Sequence, residues 1–130
     1  MTKCTEKPNK IRFYRLIDQT SGCEVASHVI RADSPISRGI GLLCRTTLAQ
    51  DEGIWLTKTK SIHTFGMQFV IDVLFINTNL RCIDIINRVR PWRVAIGPSE
   101  TAHTIELKHN IKTAQQVNIG DQMAFIPVED

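Results

Sequence analysis

The stretch SIHTFGMQFVIDVLFIN, residues 61–77, constrains the fold more than any other part of the chain. From Gln68 to Asn77 it is apolar at almost every position, too short for a buried helix of ordinary length and rich in β-branched and aromatic residues. This pattern predicts a strand buried on both faces. In a strand, alternate residues share a face. Asp72 therefore lies with Val70, Leu74 and Ile76, while Phe69, Ile71, Val73 and Phe75 take the other side. A lone carboxylate inside such a strand is costly unless it is paired or protonated. Two readings of Asp72 stay open. It is a structural buried acid that accepts hydrogen bonds from backbone amides or from an arginine such as Arg38 or Arg45. Alternatively, it lines a pocket with a perturbed pKa.

Other segments fall around this strand. IRFYRLID (11–18) and CEVASHVIRAD (23–33) alternate and pair as a hairpin across a turn at Gly22. IWLT (54–57), LRCIDIINRV (80–89), HTIEL (103–107) and QMAFIPV (122–128) read as further strands, the second of them the hairpin partner of the central strand. IHTF (62–65) can start a strand, with Gly66 as a bulge. Ser34 suits an N-cap and Pro35 a first helical position. Ile36, Ile40, Leu43 and Cys44 then share one helix face, which predicts a helix near 35–45. A shorter helix is expected near 111–117. RPWRVAIGPSETA (90–102) has no periodicity and reads as a long loop, a kind of segment often functional. NIGD (118–121) is a tight turn in which Asp121 bonds nearby backbone.

The fold class expected is α+β, predominantly β: a small antiparallel or mixed sheet curling into a barrel-like core. Residues 1–10 are polar and expected to be a flexible tail, and 11–130 a single globular domain, since 130 residues suit one core. The net charge of +3 is too small to point to nucleic acid. The N-terminus lacks the apolar run of a secretion signal, and no stretch reaches the ~20 apolar residues of a membrane span. A cytoplasmic, soluble protein is expected. Cys4, Cys23, Cys44 and Cys82 are scattered, as expected for reduced thiols rather than a metal site or disulfides. His28, His63, His103 and His109 show no metal-ligand spacing, so neither metal nor cofactor is expected.

The order RGIGLL (38–43), DEGI (51–54), SIHTFGMQFVIDVLFIN, PWR (91–93), IEL (105–107) and IGD (119–121) resembles the bacterial and archaeal family called domain of unknown function 192, over about residues 24–126. The family's usual R-G-L-M is Arg38-Gly39-Ile40-Gly41 here, and its usual Met after the acid–glycine pair is Ile54. The resemblance implies a small β-rich α+β domain and no particular activity.

Function follows from the remaining polar groups. Arg88, Arg90 and Arg93 surround Trp92 in a proline-stiffened segment. Either Trp92 closes an end of the core, or the segment takes an anion or a sugar, since arginine forks bind carboxylate and phosphate. The leading expectation is a non-catalytic binding or accessory module. Its groove would lie between the 60–68 segment and the 90–101 loop, with His63, Met67, Arg90, Trp92 and Arg93 contacting a small anionic or sugar-like ligand or a protein partner. The alternative is a small hydrolase-like enzyme using His63 with Asp72 or Glu106. Thr64, Ser99 and Cys82 are its candidate nucleophiles, though no nucleophile elbow surrounds any of them.

Overall fold

The structure is a computed structural model that describes residues 11–33, 48–109 and 116–129. The helix expected near 35–45, Arg38, Arg45 and the N-terminal tail lie outside the described residues, as does most of the helix expected near 111–117. Among the described residues the protein is almost wholly β. Nine strands form: β1 (Ile11–Asp18), β2 (Cys23–Ala32), β3 (Glu52–Thr57), β4 (Ser61–His63), β5 (Ile71–Ile76), β6 (Cys82–Val89), β7 (Val94–Ile96), β8 (His103–Lys108) and β9 (Met123–Glu129).

Seven strands make one sheet in the order β6-β5-β8-β3-β2-β1-β9, and β4 pairs with β7 in a second, two-stranded sheet. The large sheet is mixed, because β2 and β3 run parallel while its other neighbours are antiparallel. The sheet curls, but it is not a closed barrel. Its outer strands approach at one end only, through a single bridge between Arg81 and Gln122 with the Cys82 N–H donating to the Asp121 carbonyl at 2.9 Å. The barrel-like core expected from strand pairs joined by tight turns is thus corrected to a rolled open sheet.

One face of the sheet is buried along the roll, and the other is covered over β3, β8 and β5. On the inner face Leu16, Val29, Leu74, Ile105, Leu107 and Met123 pack around Trp55. The Trp55 ring stacks on Phe125 of β9 at 3.8 Å and meets Tyr14 of β1 edge-on at 5.0 Å. Neither β1 nor β9 neighbours β3, so these contacts join elements across the roll and hold its curvature. The Trp55 indole N–H donates to His103 Nδ1 at 3.1 Å. Burial, with Arg31 nearby, holds His103 below its ordinary pKa, which favours the neutral ring that can accept this bond.

The outer face carries Ile54, Leu56, Ile71, Val73 and Phe75, covered by Ile62 of β4, Ala95 of β7 and Met67. All six residues of β5 are buried. This is why the central segment reads as an unbroken apolar run: β4, β7 and Met67 bury the face that would otherwise be wet. The strand is shorter than its apolar run, beginning at Ile71 rather than Gln68.

The NIGD turn forms as expected, with Gly120 at φ +100° and the Asp121 carboxylate accepting the Asn118 N–H at 3.0 Å. It has a partner the sequence did not suggest. Asp18, buried at the end of β1, accepts the Thr20 and Ser21 N–H groups through one carboxyl oxygen and is electrostatically linked to Asp121. Burial pushes the Asp18 carboxyl up, and the neighbouring Asp18 carboxyl holds Asp121 down.

Candidate functional site

The segment read as an aperiodic loop contains β7, whose three residues pair with β4 in the register Ser61↔Ile96, Ile62↔Ala95 and His63↔Val94. The missed strand is short, and only Ala95 of its three residues is buried, so no alternation of useful length marks it. At its start the chain is pinned by Thr64. The fully buried Thr64 hydroxyl donates to the Arg90 carbonyl at 2.6 Å and accepts the Arg93 N–H at 2.9 Å. The Thr64 N–H donates to the Arg93 carbonyl, and the Thr64 carbonyl accepts from the Trp92 N–H at 3.0 Å. Residues 90–93 are therefore gathered around one threonine.

Thr64 also opens the next turn. The Met67 N–H donates to its carbonyl at 3.2 Å, and Gly66, third in the turn, has φ +84°. That is a type II turn, which calls for glycine at this place; the bulge expected at Gly66 is corrected accordingly. The IHTFGM segment thus works as a clamp in which Thr64 holds the arginine loop and Gly66 turns the chain back into the core. Thr64→Val keeps the shape and removes the hydroxyl. It is expected to cost about 2 kcal/mol by stranding the Arg90 carbonyl and the Arg93 N–H, with Thr64→Ser restoring most of it. A thermal melt checks this, and an unchanged midpoint in Thr64→Val would show that the hydroxyl is not the pin.

Asp72 explains the second feature of the site. The β5–β6 register runs Ile71↔Val89 and then Val73↔Ile86, so two residues of β6, Asn87 and Arg88, lie opposite Asp72. This is a β-bulge, with Arg88 at φ +60°. Asp72, only 3% exposed, accepts the Arg88 N–H at 2.9 Å and contacts His109 Nδ1 at 2.8 Å. The acid in the apolar strand thus supplies an acceptor to a bulged backbone and fixes the histidine that follows β8.

The bulge and the clamp border the same cleft. It has a volume of about 390 Å³, with Ile86, Val89 and Ala95 on its apolar lining and Arg88, Arg90 and Arg93 around it. All three arginines are exposed. Among the described residues no carboxylate lies within ion-pair distance of any of them. The Arg93 guanidinium donates to the Pro91 and Trp92 carbonyls, at 3.4 and 3.3 Å. Beside them Trp92 is 66% exposed and holds φ +65°. Phe65 stacks on it with ring centres 5.7 Å apart, and His63 lies against Phe65 at 5.0 Å. Left-handed backbone at Arg88 and Trp92 is uncommon for residues with side chains and concentrates at functional sites.

Of the residues expected at the groove, Arg90, Trp92 and Arg93 sit together, and His63 joins them through Phe65. Met67 does not: it is 4% exposed and packs in the outer-face core. Phe65 belongs to the site and was not singled out for it, while Arg88, grouped with Arg90 and Arg93 around Trp92 but not counted among the groove contacts, lines the cleft as well. Arg88 is brought there by a bulge, which leaves no local sequence signal.

The groups of the hydrolase alternative are not assembled. The Asp72 carboxylate is engaged by Arg88 and His109, and the His63 ring accepts the Phe65 N–H at 3.3 Å. Asp72 pairs in register with Leu107 and Glu106 with Val73, so the two carboxyls point to opposite faces of the sheet. Glu106 is buried and no group donates to its Oε1 among the described residues. Burial alone pushes its pKa up to about 7. Of the suggested nucleophiles, Thr64 is the clamp and Cys82 is a buried thiol that burial pushes up to about 12. Among the described residues no three His, Cys, Asp or Glu side chains group as metal ligands would, and no helix is long and apolar enough to cross a membrane.

Comparison with known proteins agrees with this fold. The chain is 28% identical over 113 residues to UPF0127 proteins of Pyrococcus horikoshii and of Pyrococcus furiosus, each match covering 85% of this chain and 97% of the relative. Among solved structures it is similar to a protein of unknown function from Novosphingobium aromaticivorans, with a TM-score of 0.75 and 17% identity over 85% of this chain and 83% of that one. It is also similar to a candidate transcription regulator from Sinorhizobium meliloti, with a TM-score of 0.70 and 24% identity over 92% and 97% of the two chains. At these identities the likeness speaks for the fold alone. The model of domain of unknown function 192 (DUF192), described as an uncharacterized ACR, matches residues 17–125, and the chain belongs to that family.

Proposed function

We propose that this protein is a non-catalytic binding module for a small anionic ligand, held in the cleft between β6 and β7. The observation that carries this reading is the set of three arginines around one cleft with no carboxylate among the described residues to neutralise them. Like charges gathered in a concave site raise the local concentration of anions. Guanidinium groups recognise carboxylate and phosphate through paired donors. Trp92 and Phe65 supply an apolar surface beside the charge, and the buried lining excludes water from one side of the ligand.

A protein partner is a second reading, favoured by one observation: Phe65, Trp92, Val94 and Ile96 are all exposed on or beside the paired strands β4 and β7. A thermal-shift screen against phosphates, sulfates, carboxylates and neutral sugars separates the two. A ligand at 100 times its Kd stabilises by about 2.7 kcal/mol, which raises the melting temperature visibly. The expected result is a rise with anions and none with neutral sugars, abolished in Arg90→Ala. A flat screen overturns the small-ligand reading and leaves the partner reading standing.

A further inference from the structure

We infer that the ligand of the arginine cleft is a nucleotide, a phosphate monoester that also carries a planar base. This deepens the anion-binding reading above and rests on it.

The charge comes first. A carboxylate brings one negative charge, which a single guanidinium satisfies. Here Arg88, Arg90 and Arg93 share one cleft without a counter-charge among the described residues. A phosphate monoester carries about −1.5 to −2 at pH 7 and three strong acceptor oxygens. It can engage more than one arginine at once, and its charge matches the site better than a carboxylate's.

The rings come next. Trp92 lies within the four-residue loop whose two ends, Arg90 and Arg93, are both bonded to the Thr64 hydroxyl. It therefore sits on the same short, anchored loop as two of the arginines. Phe65 covers one side of it, with the planes 22° apart, and His63 continues the series against Phe65 at 33°. With 66% of Trp92 exposed, its other side is open. An open indole face on the same short loop as two cleft arginines is what a base needs to stack while its phosphate is bound. A left-handed backbone at Trp92, φ +65°, maintains that display. The size agrees too: about 390 Å³ is near the lower end of small-molecule sites, roughly 300–1,000 Å³, suited to a mononucleotide rather than a larger cofactor.

Tryptophan fluorescence tests this on the full chain, because of the two tryptophans Trp55 is buried and Trp92 is exposed. Four probes are titrated: AMP, ribose 5-phosphate, adenosine and inorganic phosphate. AMP is expected to quench the exposed tryptophan and to bind about tenfold or more tighter than ribose 5-phosphate, the range that one base–aromatic stack supplies. Adenosine is expected to bind more weakly than AMP because it lacks the anion. Calorimetry of Trp92→Ala follows the AMP-to-ribose 5-phosphate ratio, which should fall to about 1 while the melting temperature stays that of the wild type. If AMP and ribose 5-phosphate bind the wild type equally, the base contributes nothing and this inference falls, while the anion cleft stands. If no phosphate binds and Arg90→Ala changes nothing, the anion reading itself fails and takes the inference with it.

Discussion

Glu106→Gln is expected to stabilise the protein at pH 8, by roughly 3 kcal/mol at most, and to leave it little changed near pH 4. Glu106 is 4% exposed and its Oε1 has no donor among the described residues. Burial raises its pKa from the ordinary 4.5 to about 7. The folded protein therefore holds this proton more tightly than the unfolded chain does. Between about pH 4.5 and 7 the unfolded state binds fewer protons at this site, so stability falls as pH rises through that window. Below 4.5 both states are protonated and nothing is lost. Gln cannot ionise, so its stability curve should lack this fall. Denaturant midpoints of both proteins at pH 4, 6 and 8 check it. Parallel curves would mean that Glu106 is not the group that titrates there.

Asp72→Ala is expected to act in the opposite direction, costing about 3 kcal/mol at pH 8. The difference between the two acids lies in their partners. Asp72 satisfies the Arg88 N–H at the bulge and contacts His109, so its removal strands buried polar groups. Asp72→Asn keeps one acceptor oxygen and should fall between wild type and Ala. Because Arg88 stands at this bulge, the Asp72 variants should also weaken anion binding, which Glu106→Gln should not. A melting temperature for Asp72→Ala equal to wild type would remove the bulge from the account.

These two acids show how far the sequence could be read. An acid inside an apolar strand is visible as an anomaly, and its burial and pairing follow from the cost of leaving it alone. Its partner does not follow, because Arg88 meets it through a bulge in another strand and His109 through the diagonal of a third. Glu106 shows the reverse. A glutamate near the end of a strand is usually solvated, but β8 lies between β3 and β5 with both faces covered, and only the sheet order reveals that. The strands with long alternation, β1 and β2, and the apolar β5 were legible. The three-residue β7 was not, since its register comes from β4 and the Thr64 clamp rather than from its own pattern. Arg90, Trp92 and Arg93 could be grouped because they are neighbours in the chain. Met67 was misplaced at the groove because it follows a turn whose Gly66 sends it inward to the core.

The most direct test of the binding account is a nitrogen-15 NMR titration that follows the arginine side-chain N–H and indole N–H signals as ribose 5-phosphate is added at low salt. The expected result is shifts concentrated at Arg88, Arg90 and Arg93, with the buried Trp55 indole unmoved. Shifts spread over all the arginines, or centred away from the cleft between β6 and β7, would contradict it.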